Sequence, residues 1–315
     1  MKRILGVSLA IVVFAAFGIM QSTSSQGNTQ ELANQKKIIA RARNNNDDAH
    51  NNDAHPNGQA GKPARGNGIT YHGGALMGVV GATPVSAYYI WYGNWSGNTA
   101  VTILTDLAQN IGGSPYYNIN STYYNGSNAH VVNSVTYGGS TTDNYSRGTS
   151  LSDSAIQGVV SDAITSGRLP SNTAGVYFVL TSQDVTASSG FCTQYCGWHT
   201  YGTIGGSNIK YSFVGNSARC PSACQAQNVG PNGNAGADGM ASIIAHELEE
   251  AVTDPNLNAW YDSRGAENAD KCAWTFGSTS TAGNGALYNM TLGSRNYLIQ
   301  QNWVNASGGY CAKLF

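Results

Sequence analysis

The stretch Asp238–Cys272, DGMASIIAHELEEAVTDPNLNAWYDSRGAENADKC, holds four of the five glutamates in a chain of 315 residues: Glu247, Glu249, Glu250 and Glu267. Asp254, Asp262 and Asp270 bring its acidic content from Glu247 onward to seven of the chain's seventeen acidic residues. Asp238 can accept hydrogen bonds from the free amides of a helix start, and Pro255 forbids continuation beyond Thr253. The spacing therefore predicts a helix over 239–253. At about 100° per residue, Met240, Ile244, Leu248 and Ala251 share one apolar arc, flanked by Ile243. Glu247 projects into that arc, His246 and Glu250 lie on its edge, and Glu249 points away toward solvent.

A carboxylate in an apolar stripe is costly unless a partner compensates it. His246 and Glu250, four residues apart, project side by side from successive turns and can grip one cation. The pattern is that of a His-Glu-x-x-His metallopeptidase helix with Glu in place of the second His. Zinc takes imidazole and carboxylate ligands, and a catalytic site needs a third protein ligand beside an open water position. Asp270 is the first candidate for that ligand and Glu267 the second, with Zn²⁺ as the expected ion. In that scheme Glu247 is the general base of peptide hydrolysis, taking the proton of the metal-bound water. The competing reading is an ordinary polar helix with solvated acids. His72, His199 and Tyr261 are candidates for oxyanion stabilisation or for structural roles. A glycosidase using Glu247 and Glu267 as its carboxylate pair is a weaker alternative.

Working outward, charged residues make up only 10% of the chain and glycines number 39, a profile of loop-rich extracellular domains. Eight of the sixteen basic residues precede position 66, leaving eight basic and thirteen acidic residues beyond it. That balance excludes a nucleic-acid surface. Met1-Lys2-Arg3, an uncharged run from Ile4 to Met20 and then QSTSS read as a signal peptide over 1–25, with no stable membrane span after cleavage. Residues 26–67, poor in aliphatics and lacking aromatics, read as a disordered linker or pro-segment. The predicted folded domain is 68–315.

Six cysteines, Cys192, Cys196, Cys220, Cys224, Cys272 and Cys311, imply disulfides with fifteen possible pairings. A zinc knot built from the two Cys-x3-Cys pairs, with His199, is the rival. Sequons at Asn94, Asn120, Asn125, Asn144, Asn289 and Asn305 predict a glycoprotein in a host that glycosylates. A buried strand is predicted at Pro84–Gly93, further strands at Tyr116–Tyr124, Val131–Tyr137, Val176–Thr181 and Ile209–Gly215, and helices at Thr99–Ile111 and Leu151–Gly167. The expected fold class is α+β: a mixed β-sheet with covering helices, a zincin-like active-site helix, and a loop-rich, disulfide-stapled C-terminal part.

Tyr71-His72-Gly73-Gly74, Ile90-Trp91-Tyr92-Gly93 and Val179-Leu180-Thr181-Ser182-Gln183-Asp184-Val185 resemble the phosphate-induced protein, or EXORDIUM, family of secreted proteins. The resemblance continues through Gly190-Phe191-Cys192, Cys196-Gly197-Trp198-His199, Val214-Gly215-Asn216-Ser217, Cys220-Pro221, Pro231-Asn232-Gly233 and Asp238-Gly239-Met240. It implies an apoplastic or cell-wall-associated protein linked to growth and cell expansion, and names no reaction. The HELEEAVTDP segment departs from the plant pattern and resembles the metallopeptidase-like segment of related microbial secreted proteins. Two functions are therefore expected to compete. One is a secreted zinc-dependent peptidase acting on extracellular peptides or proteins. The other is a non-enzymatic cell-wall or polysaccharide-binding protein, for which eighteen tyrosines and six tryptophans offer stacking surfaces.

Overall fold

The computed structural model describes residues 68–315, so the predicted signal peptide and linker lie outside the described residues. Its principal elements are β1 (Val85–Tyr92), α1 (Ala100–Asn110), β2 (Val135–Asp143), α2 (Asp153–Thr165), β3 (Gly175–Thr181), β4 (Gly197–Ile204), β5 (Ser207–Val214) and α3 (Ala235–Thr253). The five strands form one sheet in the order β2-β1-β3-β5-β4. The first four run parallel, and β4 pairs antiparallel with β5, so the sheet is mixed as expected.

Apolar runs without alternation occupy the sheet centre. GVYFVLT in β3 is buried at every position, as a parallel strand covered on both faces must be. At the edge, β2 alternates exposed and half-buried residues along most of its length. β4 and β5 are joined by Gly205 and Gly206, at φ +56° and +80°. A two-residue hairpin loop with both residues in the left-handed region favours glycine.

β4 lies where the sequence pattern predicts no strand, because GWHTYGTI lacks a sustained apolar run. Its sequence signal is the Gly-Gly pair before Ser207, a hairpin signature. The predicted strand at Tyr116–Tyr124 is instead a 3-10 helix over Tyr117–Thr122. Ser121 and Thr122 hydroxyls donate to the carbonyls of Asn118 and Ile119, and Ser114 Oγ accepts from the Tyr117 amide. Such local bonds compete with a strand ladder. The strand predicted from Val131 begins only at Val135.

α3 starts earlier than predicted. Asn234, not Asp238, caps it, its side chain accepting from the Ala237 amide. Asp238 instead accepts from the backbone and side-chain nitrogens of Asn232. The helix packs against α1, β4 and β5, and nearly every residue from Gly236 to Thr253 is buried. Nothing in its structure marks it as the active-site helix of a zincin; it is the central strut of an α+β domain.

All six cysteines are paired, as Cys192–Cys220, Cys196–Cys224 and Cys272–Cys311, which overturns the zinc-knot alternative. The first two fasten the segment entering β4 to the turn that follows β5. The third ties a 3-10 turn, Asp270–Cys272, to a C-terminal hairpin of Asn302–Val304 with Tyr310–Ala312. Two of the six sequons are closed off by folding, because Asn120 and Asn289 are buried. Among the described residues no helix is long and apolar enough to cross a membrane.

Candidate metal centre

Side chains on a strand alternate between faces, so Gly197 and His199 of β4 share one face. That face meets α3. A Cβ at Gly197 would lie 2.5 Å from Ile243 Cγ2 and 3.0 Å from Glu247 Oε1, so only glycine permits this approach. The approach carries the His199 ring over the helix. Its Nδ1 lies 3.6 Å from Glu247 Oε2 and 3.7 Å from Glu250 Oε2, and its Nε2 lies 3.8 Å from Glu267 Oε1.

One turn back along α3, His246 Nε2 is 3.2 Å from Glu250 Oε1 and 3.8 Å from Asp270 Oδ1. Asp270 is delivered by the chain that returns after Pro255. Asp254, just past the helix end, accepts from the amides of Asn258 and Ala259 and turns the chain. Asp262 accepts from the amides of Arg264 and Ala266 and from Lys271 Nζ at 3.1 Å, shaping the loop before Glu267. The Asp270 amide then donates to Glu250 Oε1 at 3.0 Å.

The side chains of His199, His246, Glu247, Glu250 and Glu267 are fully buried, and that of Asp270 is 17% exposed. Both ring nitrogens of His246, Nδ1 of His199, both oxygens of Glu247 and Oε2 of Glu250 have no hydrogen-bond partner. Buried polar atoms are normally satisfied, and leaving a charge unmatched costs several kcal/mol. Most of these contacts exceed hydrogen-bond length. At 3.2–3.8 Å they bracket the separation of neighbouring ligands on one ion, since tetrahedral bonds of about 2.0–2.2 Å place ligand atoms about 3.3–3.6 Å apart. Two triads, His199/Glu250/Glu267 and His246/Glu250/Asp270, each bring one ligand atom per residue within 4.8 Å of one another. The cluster is therefore capable of coordinating a metal.

Burial sets the electrostatics. It lowers the affinity of His246 for a proton, against the opposing pull of Glu247 and Asp270. It raises the Glu247 carboxyl to about 8 and shifts Glu250 in the same direction. Neutral imidazoles are metal donors, and buried carboxylates favour a cation over water.

The structure joins His246, Glu250 and Asp270 as the sequence suggested, and places Glu267 on the opposite side, with His199. The sequence offers His199 only for a cysteine knot, oxyanion stabilisation or a structural role; its grouping with Glu250 and Glu267 depends on the strand face turned to α3. Glu249 requires a correction: it is buried, not solvent-facing. The 3-10 segment and the C-terminal hairpin cover its side of the helix, where Asn302 Nδ2 donates to Glu249 Oε2 at 2.7 Å. Asn120, Tyr116, Tyr117 and Tyr123 surround it, and burial drives its carboxyl far up toward the neutral form. His72 and Tyr261 stack on each other, ring centroids 3.7 Å apart, on the short Thr70–Tyr71 and Trp260–Tyr261 ladder.

A mixed-sheet α+β domain stapled by three disulfides, with ionisable groups enclosed at its centre, defines a class of oxidised, extracellular-type proteins. The phosphate-induced protein 1 conserved region matches residues 69–313, and the chain belongs to that family. It is 32% identical to Protein EXORDIUM-like 5 of Arabidopsis thaliana over 276 residues, covering 75% of each chain. It is 33% identical to Protein EXORDIUM-like 3 of the same plant over 284 residues, covering 77% of this chain and 82% of that one. Similarity to Protein PHOSPHATE-INDUCED 1 of Nicotiana tabacum is 28% over 229 residues, covering 61% and 67%. No solved structure matches the chain.

These relationships overturn the peptidase reading. The chain falls among EXORDIUM proteins along nearly its whole described length, and a hydrolytic zinc must present an open position to a substrate carbonyl. Here His246, Glu247 and Glu250 are sealed inside the domain. A cavity lined by Cys224, Asp238, Ser242 and Trp274 includes none of the cluster's residues. Glu247 is buried in this enclosed centre, with both carboxylate oxygens lacking a hydrogen-bond partner.

Proposed function

We propose that the protein is a non-enzymatic, secreted member of the EXORDIUM group that acts in the cell wall or apoplast in growth, and that its buried centre holds Zn²⁺ for structure. The burial of every histidine and glutamate of the cluster carries this reading, because it suits an ion that cross-links α3, β4 and the returning loop, and not one that meets a substrate. His246, Glu250 and Asp270 are the proposed ligands, with Glu267 close by. Bound to the folded state alone, the ion stabilises it by mass action. The partner is a wall component, met at the exterior of the domain.

The test compares the secreted chain before and after exhaustive chelation. The expected outcome is bound zinc in the untreated protein, a melting temperature that falls on chelation and recovers with added zinc, and no cleavage of mixed peptides in either form. Chelator-sensitive peptide cleavage abolished by Glu247→Gln would reinstate an enzyme. A melting temperature indifferent to chelation would remove the structural ion.

A further inference from the structure

Glu250 faces two histidines with different oxygens. Its Oε1 lies 3.2 Å from His246 Nε2, and its Oε2 lies 3.7 Å from His199 Nδ1. The residues beyond the histidines also separate, since Asp270 stands with His246 and Glu267 with His199. The two triads thus share one carboxylate and nothing else.

We propose that Glu250 bridges two divalent cations, one held with His246 and Asp270 and the other with His199 and Glu267. This rests on the single-ion reading above and extends it to a pair. A carboxylate that offers one oxygen to each of two ions is a common bridge in two-metal sites, where the ions sit about 3.5–4 Å apart. The unsatisfied atoms fall on both sides of Glu250: Nε2 of His246 on one, Nδ1 of His199 and Oε2 of Glu250 on the other. Glu247, with both oxygens buried and lacking hydrogen bonds, lies beside this set, 3.6 Å from His199 Nδ1. One divalent cation answers two of the four carboxylates gathered here, and a second answers the other two. A mixed imidazole and carboxylate donor set suits zinc, and cobalt can replace zinc as a magnetic probe.

The experiment counts metal in the full secreted chain, with His50 and His55, which lie in the sequence segment 26–67 ahead of the described residues, replaced by alanine so that they contribute no ligand. After loading with zinc and removal of free ion, two equivalents per chain are expected. His199→Gln and His246→Gln should each retain one. Loading with cobalt should give two equivalents whose electron paramagnetic resonance signal is weakened by coupling through the shared carboxylate. One equivalent in the wild-type chain overturns the pair while leaving the single structural ion intact, whereas zero overturns both. Two cobalt ions that behave as magnetically independent overturn the bridge. Should either histidine variant fail to fold, wild-type stoichiometry and cobalt coupling decide the matter.

Discussion

Two sides of α3 bury acids by opposite means. On one side Glu249 has a neutral amide donor, Asn302, and a surround of tyrosines, and burial holds it toward its protonated form. On the other, Glu247 and Glu250 face imidazoles across gaps mostly too long for hydrogen bonds. Both sides are equally dry, so burial alone does not distinguish them. What differs is the donor set: amide and phenol groups on one side, metal-type donors on the other. An interior carboxyl can be accommodated by a proton or by a cation, and its neighbours decide which.

Glu250→Ala should separate the two sides most strongly. Loss of the shared carboxylate is expected to eliminate metal binding and to reduce stability by about 3–5 kcal/mol relative to the zinc-loaded parent, measured by urea unfolding with zinc present. Equal stability of variant and parent would break the comparison. Gly197→Ala comes next. Its added methyl group would press on Ile243 and Glu247, and a cost of about 1–3 kcal/mol is expected, with weakened zinc retention. Unchanged thermal melting would mean that β4 and α3 do not need their close approach. The smallest effect belongs to Glu249→Gln, which puts an amide in place of a carboxyl that burial pushes toward its neutral form, and should stay within about 1 kcal/mol with metal content unchanged. Loss of zinc in this variant would make Glu249 part of the metal centre and erase the distinction between the sides.

Much of the scaffold was legible in the sequence because VSAYYIWY and GVYFVLT are continuous apolar runs, and α1 and α2 have helical periodicity. Half of the candidate centre was legible too, because His246 and Glu250 are linked by helical spacing alone. Glu249 was misplaced because a helical projection assumes one wet face, and α3 has none. His199 was hidden for a different reason. Its role depends on strand parity, on the hairpin turn at Gly205-Gly206 and on the missing side chain of Gly197, three facts that act together only in space. Tyr117–Thr122 misled through composition, as tyrosine, isoleucine and threonine favour strands until short hydroxyl side chains claim the local carbonyls.

The disulfides also set a sequence of events. Cys196 lies three residues before His199, and Cys272 two residues after Asp270, so two of the three bridges fasten the chain next to a candidate ligand that lies outside α3. Without those bridges the flanking segments lose their covalent ties, and the helix alone offers only His246, Glu247 and Glu250. Under the proposed reading, completion of the centre follows thiol oxidation, which reducing compartments oppose. An ion held there, as proposed, would be drawn from the milieu in which the bridges close, and that environment's supply, more than the cytosol's, would set the centre's inorganic content.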